Sequence, residues 1–508
     1  MSKIKNVVTI MTDSWQYNYT GCYGNDWIKT PNVDALAREG TVFENAYAEG
    51  LPTIPVRRTL ATGRYTLPFA GWVNLTPQET TIGDICYRNH VQSALIADCP
   101  MLHLEKYIYC RGFDYVHFIR GQEGDHFYGN DPILHLDPMD FHRPILNTVS
   151  GEEIPMSLLT LKELKGYLAQ RQYWKTDEDQ HAGRTARSVV HYLENIVDRT
   201  RPFFLWIDFF DPHEPWDPPS IYDPDRKCPY DPDYRGKEII LPVGMNLTDK
   251  DRNAYSEEEL HHIRMLFAEK TTMTDKFVGV VLKKLKELGL YDNTLVIWLS
   301  DHGEPLGHGE HGHGLMRKVR PWPYEELAHI PMVIRHPDQG PQRVSALVQN
   351  TDVTATALEF LGVKDAAQEE MHSKSLLPLL TGQKDRGRDF AIAGYHNHSW
   401  AIYTEDWSYI HWLNEAEFKD NPMAALEFYG ELIKQMIPDL YQEGLKITGE
   451  DKIWSCTPGA KAEIPEHDEL YDRKQDPFQL RNVINDQKKI ANDLWIQLRD
   501  SMLQLKVS

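Results

Sequence analysis

Residues 294–302, TLVIWLSDH, indicate the fold most clearly, because a short and almost wholly apolar run ends directly at a carboxylate and an imidazole. Two other segments have the same form, NVVTIMTD at 6–13 and FFLWIDFFD at 203–211. Strands that are apolar on both faces belong to a parallel sheet covered by helices. Ligands bind at the carboxyl ends of strands in such sheets. The sequence therefore predicts that the polar residues after these three strands share one site.

Helical segments separate the predicted strands. One begins at Thr30, a capping residue followed by proline in the first turn, and ends at Gly40. A longer helix begins at Ser256 with a capping box and ends at Gly289. Strands that alternate with helices over about the first 380 residues predict an α/β fold class.

A polar, turn-rich stretch at 382–389, GQKDRGRD, marks a predicted boundary in the chain. We predict a catalytic α/β domain over 1–385 and a smaller C-terminal subdomain over 386–508. Short aromatic segments after the boundary predict a small antiparallel sheet, and the last predicted helix runs from Lys488 to Leu505. The aromatic segments are AIAGY (391–395), WAIYT (400–404) and WSYIHWL (407–413).

The composition excludes several classes of partner. The chain has 508 residues with 54 Lys and Arg against 75 Asp and Glu, which gives a formal net charge of −21. Such a surface repels nucleic-acid phosphates and anionic lipids, so we expect neither nucleic acid nor membrane as a partner. No apolar run approaches the ~20 residues of a membrane-spanning helix. With six scattered cysteines and no CxxC pair, the sequence predicts a cytoplasmic, thiol-reduced protein.

Four polar residues form a candidate metal site: Asp13, Thr53, Asp301 and His302. Each is predicted to lie at a strand end or just beyond one. Two carboxylates, a hydroxyl and an imidazole make a mixed oxygen and nitrogen site that suits a divalent cation. We expect one such ion, with manganese favoured and zinc or calcium as alternatives. Taken singly, each aspartate could instead be an ordinary turn or capping residue.

The segment LPTIPVRRTLATGR at 51–64 resembles the signature of the type I sulfatase family within the alkaline phosphatase superfamily. That signature has Cys or Ser, then Pro and Arg at two-residue intervals, and then Thr-Gly-Arg. The resemblance implies a mostly parallel central sheet sandwiched by helices, with a smaller C-terminal α+β subdomain. Further segments resemble family motifs in family order over nearly the whole chain: TPNVDALAREGTVFENAYA (30–48), DKFVGVVLKKLKELGLYDNTLVIWLSDHGE (275–304), YEELAHIPMVIR (324–335) and ELYDRKQDPFQLRNV (469–483).

The resemblance implies roles for the residues of the candidate site. It places Thr53 at the nucleophile, Arg57 at the arginine that orients it, and Asp13, Asp301 and His302 at metal ligands. A hydroxyl beside a divalent cation loses its proton more easily, which agrees with that placement.

Two further residues match family positions outside this group. His213, in the sequence DPHEP, matches the histidine near the leaving group, and Lys318 matches a lysine that contacts the anion. Positive side chains neutralise charge on a transferring tetrahedral anion. Because Lys318 lies in a basic patch with Arg317 and Arg320, a solvated face is the alternative interpretation.

Thr53 departs from the sulfatase pattern. Sulfatases of this type convert their Cys or Ser to formylglycine, whose hydrate attacks sulfur and then expels sulfate as the aldehyde forms. Threonine cannot follow this route, so hydrolysis would proceed by water attacking a Thr ester. Threonine at this position, and Asp301-His302 where many sulfatases have Asp-Asn, resemble the phosphodiesterase and phosphonate monoester hydrolase branches.

Four other residues are candidate substrate contacts. The family lysine that helps to hold sulfate is absent, and Asp98 stands in that stretch. Asp98 would contact a cationic substrate group, with a simple turn residue as the alternative. His308, His311 and His313 alternate with glycine and would contact the substrate or leaving group, with a second metal site as the alternative.

The sequence thus predicts a metal-dependent hydrolase of small-molecule anionic esters, either phosphodiesters or phosphonate monoesters. Hydrolysis of sulfuric esters without formylglycine is the first alternative. A catalytically silent, sulfatase-like binding protein is the second, although retention of Arg57 and His213 with the metal ligands argues against it. The sequence leaves the oligomeric state open, with a homo-oligomer as one option because relatives often form dimers or tetramers.

Overall fold

The computed structural model describes residues 4–103, 108–123, 125, 136–142, 145–146, 153–154, 158–223, 225–242, 245–246, 255–307, 313–318, 322–413, 465 and 467–507. Its strands, numbered along the chain, are β1 (Asn6–Thr12), β2 (Thr41–Tyr47), β3 (Gln92–Ala97), β4 (Tyr115–Phe118), β5 (Ile145–Leu146), β6 (Glu153–Ile154), β7 (Phe203–Phe209), β8 (Met245–Asn246), β9 (Thr294–Ser300), β10 (Leu306–Gly307), β11 (Leu315–Met316), β12 (Met332–Arg335), β13 (Gln342–Gln349), β14 (Ala391–Tyr395), β15 (Ser399–Tyr403), β16 (Trp407–Trp412) and β17 (Glu469–Asp472).

The α-helices alternate with the strands over the first three quarters of the chain. They are α1 (Pro31–Glu39), α2 (Thr53–Thr62), α3 (Ile82–Arg88), α4 (Pro100–His103), α5 (Leu158–Arg171), α6 (His181–Asn195), α7 (Pro219–Tyr222), α8 (Glu257–Glu287), α9 (Glu325–Ala328), α10 (Asp352–Leu361), α11 (Leu377–Leu380) and α12 (Lys488–Val507).

A central sheet of eight strands organises the fold, in the order β13-β2-β12-β9-β1-β7-β3-β4. Strand β12 is antiparallel to both of its neighbours, and the other seven strands run in one direction. The predicted α/β class with a mostly parallel central sheet is confirmed.

Strand β1 lies at the centre of this sheet, between β7 and β9. Its last residue, Thr12, is level with Phe209 at the end of β7 and with Ser300 at the end of β9. Because the three strands are parallel and in step, the residues that follow them leave the sheet at the same edge. This register is what places the candidate site.

Two hydrophobic cores cover the faces of the sheet. In β1, Val7 and Met11 belong to the core under α2, α3 and α10, whereas Val8 and Ile10 belong to the core under α1, α6 and α8. All seven residues of β1 are buried. Burial on both faces explains why the deciding segments contain so few polar residues.

Helix α8 begins as predicted, whereas α1 is capped by an unexpected residue. The Ser256 side chain accepts from Glu259 N–H at the start of α8, which completes the capping box. Thr30 does not cap α1, because its hydroxyl oxygen accepts from Gly21 N–H. Asp275, on α8, instead accepts from two N–H groups in the first turn of α1, at 3.0 and 2.8 Å.

The C-terminal part contains the expected antiparallel sheet and terminal helix. Strands β14, β15, β16 and β17 pair in sequence order, and α12 packs on the sheet with Leu494 and Leu498 against Ile402 and Tyr409. Residues of β14 and β15 also join a core of the central sheet. The boundary between 385 and 386 stays a prediction.

Within the described ranges, no helix has both the length and the apolar character required to cross a bilayer.

Replacing Asp275 tests the cap supplied by α8 to α1. Asp275→Ala should lower the free energy of unfolding by about 2–4 kcal/mol, because two N–H donors lose their acceptor. Asp275→Asn retains one acceptor oxygen and should lose less. Urea unfolding monitored by circular dichroism measures both, and equal stability of the alanine variant and the unsubstituted protein would contradict the cap.

Candidate active site

The ends of β1 and β9 bring three ligand-type side chains together. Asp13 follows β1 directly, and Asp301 and His302 follow β9. One carboxylate oxygen from each aspartate and one ring nitrogen of His302 all lie within 4.8 Å of one another. All three side chains are buried. Three such groups in so small a buried space form a candidate metal centre.

Thr53 lies against this group at the first position of α2. Its Oγ1 is 3.3 Å from His302 Nε2, and the residue is 1% exposed. Arg57 follows one helical turn later and donates through Nη1 to the Thr53 carbonyl oxygen at 3.3 Å. The two residues predicted as nucleophile and orienting arginine are therefore on the same side of α2, next to the candidate metal centre.

The ring of His302 is oriented so that Nε2 can act as a ligand. Nδ1 lies 2.7 Å from the Gly303 carbonyl oxygen, which can only accept, so Nδ1 carries the proton. Burial lowers the pKa of His302 to about 3, so the ring is neutral near pH 7. Nε2 therefore carries the lone pair, which accepts from the Thr53 hydroxyl, and the Nε2 atom lies 3.4 Å from Asp301 Oδ2.

Arg57 connects carboxylates from three strands. Its Nη1 lies 2.9 Å from Asp13 Oδ2 and 2.8 Å from Asp301 Oδ2. Its Nε and Nη2 make a two-pronged contact with Asp208 of β7, at 3.0 and 2.7 Å. The sequence analysis missed Asp208, although a lone carboxylate within the apolar run FFLWIDFF was a visible signal.

The two aspartates have opposite pKa shifts. Burial by itself raises the pKa of Asp13, but Arg57 and the other nearby cations lower it below its usual range. Burial and the charge of Asp13 together raise the pKa of Asp301 well above its usual range. Ser14 supports the pair by donating its N–H to Asp301 and its hydroxyl to Asp13, both at 2.9 Å. A divalent cation would allow both carboxylates to be ionised at once.

Lys318 belongs to this site and not to a solvated basic face. Its side chain is 11% exposed. Its Nζ donates to Ser14 Oγ at 3.1 Å and to Glu214 Oε2 and Glu304 Oε2, both at 3.2 Å. Arg317 also donates to Glu214, through Nε at 2.6 Å. Glu214 and Glu304 are two more residues that the sequence analysis did not select, although both stand beside predicted site residues.

The charges of this network fit the expected divalent ion. When every group is ionised, the carboxylates exceed the cations by two, which is the charge of one divalent cation. Among the described residues, Glu304 Oε1 accepts no hydrogen bond, and Asp13 Oδ2 has an ion-pair contact with Arg57 but no hydrogen bond of good geometry. The residues that would hold the ion are Asp13, Asp301, His302 through Nε2, and Thr53. The network joins the carboxylates of Asp13, Asp208, Glu214, Asp301 and Glu304 to the cations of Arg57, Arg317 and Lys318.

His213 follows β7 on the same edge of the sheet and stacks on Phe210 at 4.0 Å between ring centroids. Its Nδ1 lies 2.7 Å from the Glu214 carbonyl oxygen and 3.2 Å from Glu214 Oε2. Both partners are acceptors, so Nδ1 carries the proton. Burial lowers the pKa of His213 to about 4, so Nε2 is unprotonated near pH 7.

Two of the candidate substrate contacts lie elsewhere in the structure. Asp98 is 1% exposed and accepts from Phe210 N–H at 2.6 Å, so the structure does not bring it into the candidate metal centre. The ring of His313 stacks on Tyr324 at 3.8 Å, and its Nε2 lies 3.0 Å from the Gln479 carbonyl oxygen. These contacts tie His313 to the C-terminal part of the chain.

The remaining two candidates, His308 and His311, lie outside the described residues. A second metal site in that segment therefore stays a hypothesis from the sequence.

Comparisons with known proteins identify the family of this chain. Residues 5–363 match the family model described as Sulfatase, and residues 309–427 match the model described as N-sulphoglucosamine sulphohydrolase, C-terminal. An arylsulfatase of Clostridium perfringens (strain 13 / Type A) is 24% identical over 415 residues, which cover 77% of this chain and 81% of that protein. An endo-4-O-sulfatase of Bacteroides thetaiotaomicron is 26% identical over 378 residues, or 71% and 68% of the two chains.

The fold has close counterparts among solved structures. The phosphonate monoester hydrolase of Agrobacterium radiobacter superposes with a TM-score of 0.65 at 19% sequence identity, covering 99% of this chain and 95% of that chain. At this level of identity the likeness concerns the fold alone. Because the Sulfatase model extends over most of the sequence, the chain belongs to the sulfatase family.

Proposed function

We propose that this protein is a metal-dependent hydrolase of phosphodiesters or phosphonate monoesters, with Thr53 as its nucleophile. The observation that carries the proposal is the position of the Thr53 hydroxyl, 3.3 Å from His302 Nε2 and beside Asp13 and Asp301. Two carboxylates and a neutral imidazole can hold a divalent cation, and a buried hydroxyl next to them is well placed to act as a nucleophile.

The chemistry of threonine favours phosphorus over sulfur. Thr53 has a single hydroxyl, so a covalent intermediate on it is an ester that water has to open by attack on the transferred group. A sulfatase that uses formylglycine avoids this step, because its intermediate collapses to an aldehyde.

The residues of the site divide the reaction between them. Thr53 Oγ1 gives up its proton to the solvent and forms a bond to phosphorus as the bond to the leaving-group oxygen breaks, and that oxygen takes the Nε2 proton of the acid form of His213. Water then attacks phosphorus and gives one proton to the neutral His213 Nε2, while the bond to Thr53 Oγ1 breaks. Thr53 Oγ1 takes up a proton from the solvent, and the acid product leaves. When bound, a divalent cation supplies positive charge that lowers the pKa of the Thr53 hydroxyl and offsets the charge of the ester.

The positive side chains orient the reacting groups. Arg57 holds Asp13 and Asp301 in place and donates to the Thr53 carbonyl oxygen, which fixes the start of α2. Lys318 is the cation that would contact the anionic ester, because its Nζ lies beside Ser14 and Glu304 at the edge of the candidate metal centre.

Hydrolysis of sulfuric esters is the second candidate function. The observation in its favour is that the curated relatives named above are sulfatases and match most of the chain. Rates on aryl phosphodiester, phosphonate and sulfate substrates with the same leaving group separate the two functions. No turnover of any of the three would favour a silent binding protein.

Three further features stay predictions that rest on the sequence: manganese as the metal, a cytoplasmic location and a homo-oligomeric state. His308, His311, His313 and Asp98 as substrate contacts also stay predictions.

Removing a ligand tests the metal centre. Asp301→Ala should lower the bound divalent metal from one ion per chain to near zero and abolish turnover. The reason is that the remaining ligands carry too little negative charge to hold a divalent ion. Elemental analysis after gel filtration measures the metal. Asp292→Ala, at a side chain that is 88% exposed, is the control and should keep the full complement. Stoichiometric metal in Asp301→Ala would rule out this ligand assignment.

Replacing His213 tests the proton donor. His213→Ala should slow esters of poor leaving groups by roughly 10²–10⁴-fold and nitrophenyl esters only slightly, because a departing oxygen of low basicity needs no proton. His213 can donate a proton to the leaving group only in its acid form, and its pKa in the free protein is about 4. For poor leaving groups kcat/KM should therefore fall as the pH rises above that value, and the variant should lose this fall. Equal slowing across a leaving-group series would remove His213 from the role.

Replacing Thr53 tests the proposed mechanism directly. Thr53→Ala should lower kcat by at least about 10³-fold with the fold and most metal binding intact, because the covalent route is lost. Thr53→Ser keeps the attacking oxygen and should stay within about tenfold of the unsubstituted protein. Mass spectrometry after an acid quench should detect a phosphoryl or phosphonyl adduct on Thr53.

Two outcomes bear on the alternatives. Unchanged rates in Thr53→Ala would show that water attacks the substrate directly, which would refute the proposal. Thr53→Cys co-expressed with a formylglycine-generating enzyme should gain activity on sulfate esters, since Pro55 and Arg57 of the signature are in place.

A further inference from the structure

Residues 210–217 form the turn that carries His213, and an aspartate lies near each end of it. Asp211 and Asp217 are both fully buried. A single cation contacts both: Lys270 Nζ, from α8, lies 2.7 Å from Asp217 Oδ1 and 3.3 Å from Asp211 Oδ1. Lys270 is itself fully buried.

Each aspartate has further partners from surrounding elements. Asp217 Oδ1 accepts from the Tyr167 hydroxyl of α5 at 2.9 Å. Asp211 accepts from Gln122 Nε2 at 3.0 Å and from Ala182 N–H, in the first turn of α6, at 3.3 Å. The two ends of the turn are therefore fixed to different parts of the fold, and Lys270 is bonded to both.

Within the turn, His213 has restraints besides those at the two ends, because its Nδ1 lies against Glu214, whose carboxylate is held by Arg317 and Lys318. The His213 N–H donates to the Phe210 carbonyl oxygen at 3.0 Å, and its ring stacks on Phe210. Phe210 N–H is in turn held by Asp98 at 2.6 Å. Near the other end of the turn, Trp216 donates its N–H to the Ile240 carbonyl oxygen at 2.6 Å. Because both ends of the turn are bonded to Lys270, we expect a change in the separation of Asp211 and Asp217 to shift the backbone that carries the imidazole.

A buried lysine with two carboxylate partners is a weak source of stability, because desolvation offsets much of the ionic attraction. A geometric role accounts better for its presence here. We propose that Lys270 is a positioning residue that sets the place of His213 by holding Asp211 and Asp217 at a fixed separation. The proposal deepens the function proposed above, since it rests on His213 acting on the leaving group.

The expected kinetic effect is selective. Lys270→Met keeps the length of the side chain and removes its charge. It should slow esters of poor leaving groups by about tenfold and nitrophenyl esters by less than about threefold, with KM unchanged, because only the proton donor is displaced. Lys276→Met is the matched control on the same helix, at an exposed lysine that pairs with Asp177 and Glu178, and should leave all rates unchanged.

A double-mutant cycle with His213→Ala decides whether Lys270 acts through His213. If it does, Lys270→Met causes no further slowing of poor leaving groups once His213 is absent. Multiplicative effects of the two substitutions would overturn the proposal. Lys270→Gln keeps a donor for Asp217 and serves in the same cycle if the methionine variant does not fold.

A second readout is independent of turnover. Nitrogen-15 spectra of the unsubstituted protein should show the His213 Nδ1 proton in its hydrogen bond to the Glu214 carbonyl oxygen. Lys270→Met should accelerate solvent exchange of that proton, whereas Lys276→Met should not. Unchanged exchange in Lys270→Met would overturn the proposal. If Thr53→Ala keeps full activity while the exchange accelerates, the proposed function fails and the positioning role stands.

Discussion

The site depends on the ion pairs that the buried guanidinium of Arg57 makes with carboxylates. Carboxylates from the ends of β1 and β9 and from within β7 converge on it, and it also donates to the first residue of α2. Removing this cation would leave three buried carboxylates without the positive charge that they share, which is far costlier than the burial of the guanidinium itself. Only arginine offers enough donors in one plane to satisfy the two-pronged contact with Asp208 and the other aspartates together. The Arg57 guanidinium therefore connects the ends of β1 and β9, the interior of β7 and the start of α2.

Much of the fold was predictable because its signals are local. Apolar runs ending at Asp13 and Asp301 predicted buried parallel strands, and the Ser256 capping box predicted the start of α8. Both follow from rules that act over a few residues. The cap of α1 was not predictable in the same way, because Asp275 lies more than two hundred residues from its partners along the chain. Thr30 looked like a cap because nothing local showed that its hydroxyl was already engaged.

The site residues, too, were predictable where the signal is local and not where it depends on tertiary contacts. The resemblance placed Thr53 and Arg57 next to ligands that the strand pattern had already brought to one edge of the sheet. Asp208 was not predicted as a site residue, because its role depends on its contact with Arg57, and a sequence does not show which distant residues are in contact. His313 was selected for its flexible, glycine-rich surroundings, yet its ring packs on Tyr324. Side-chain chemistry can be read from a sequence, but the direction in which a side chain points is set by tertiary packing.

Helix α8 has a consequence for how this chain can vary. Its 31 residues extend for about 46 Å, and one stretch of it supplies both Lys270 to the His213 turn and Asp275 to the start of α1. Deleting or inserting one residue between these two would rotate one of them by about 100° relative to the other. No such change can keep both contacts. Related chains that share the two contacts should therefore differ in this stretch by substitution and never by length.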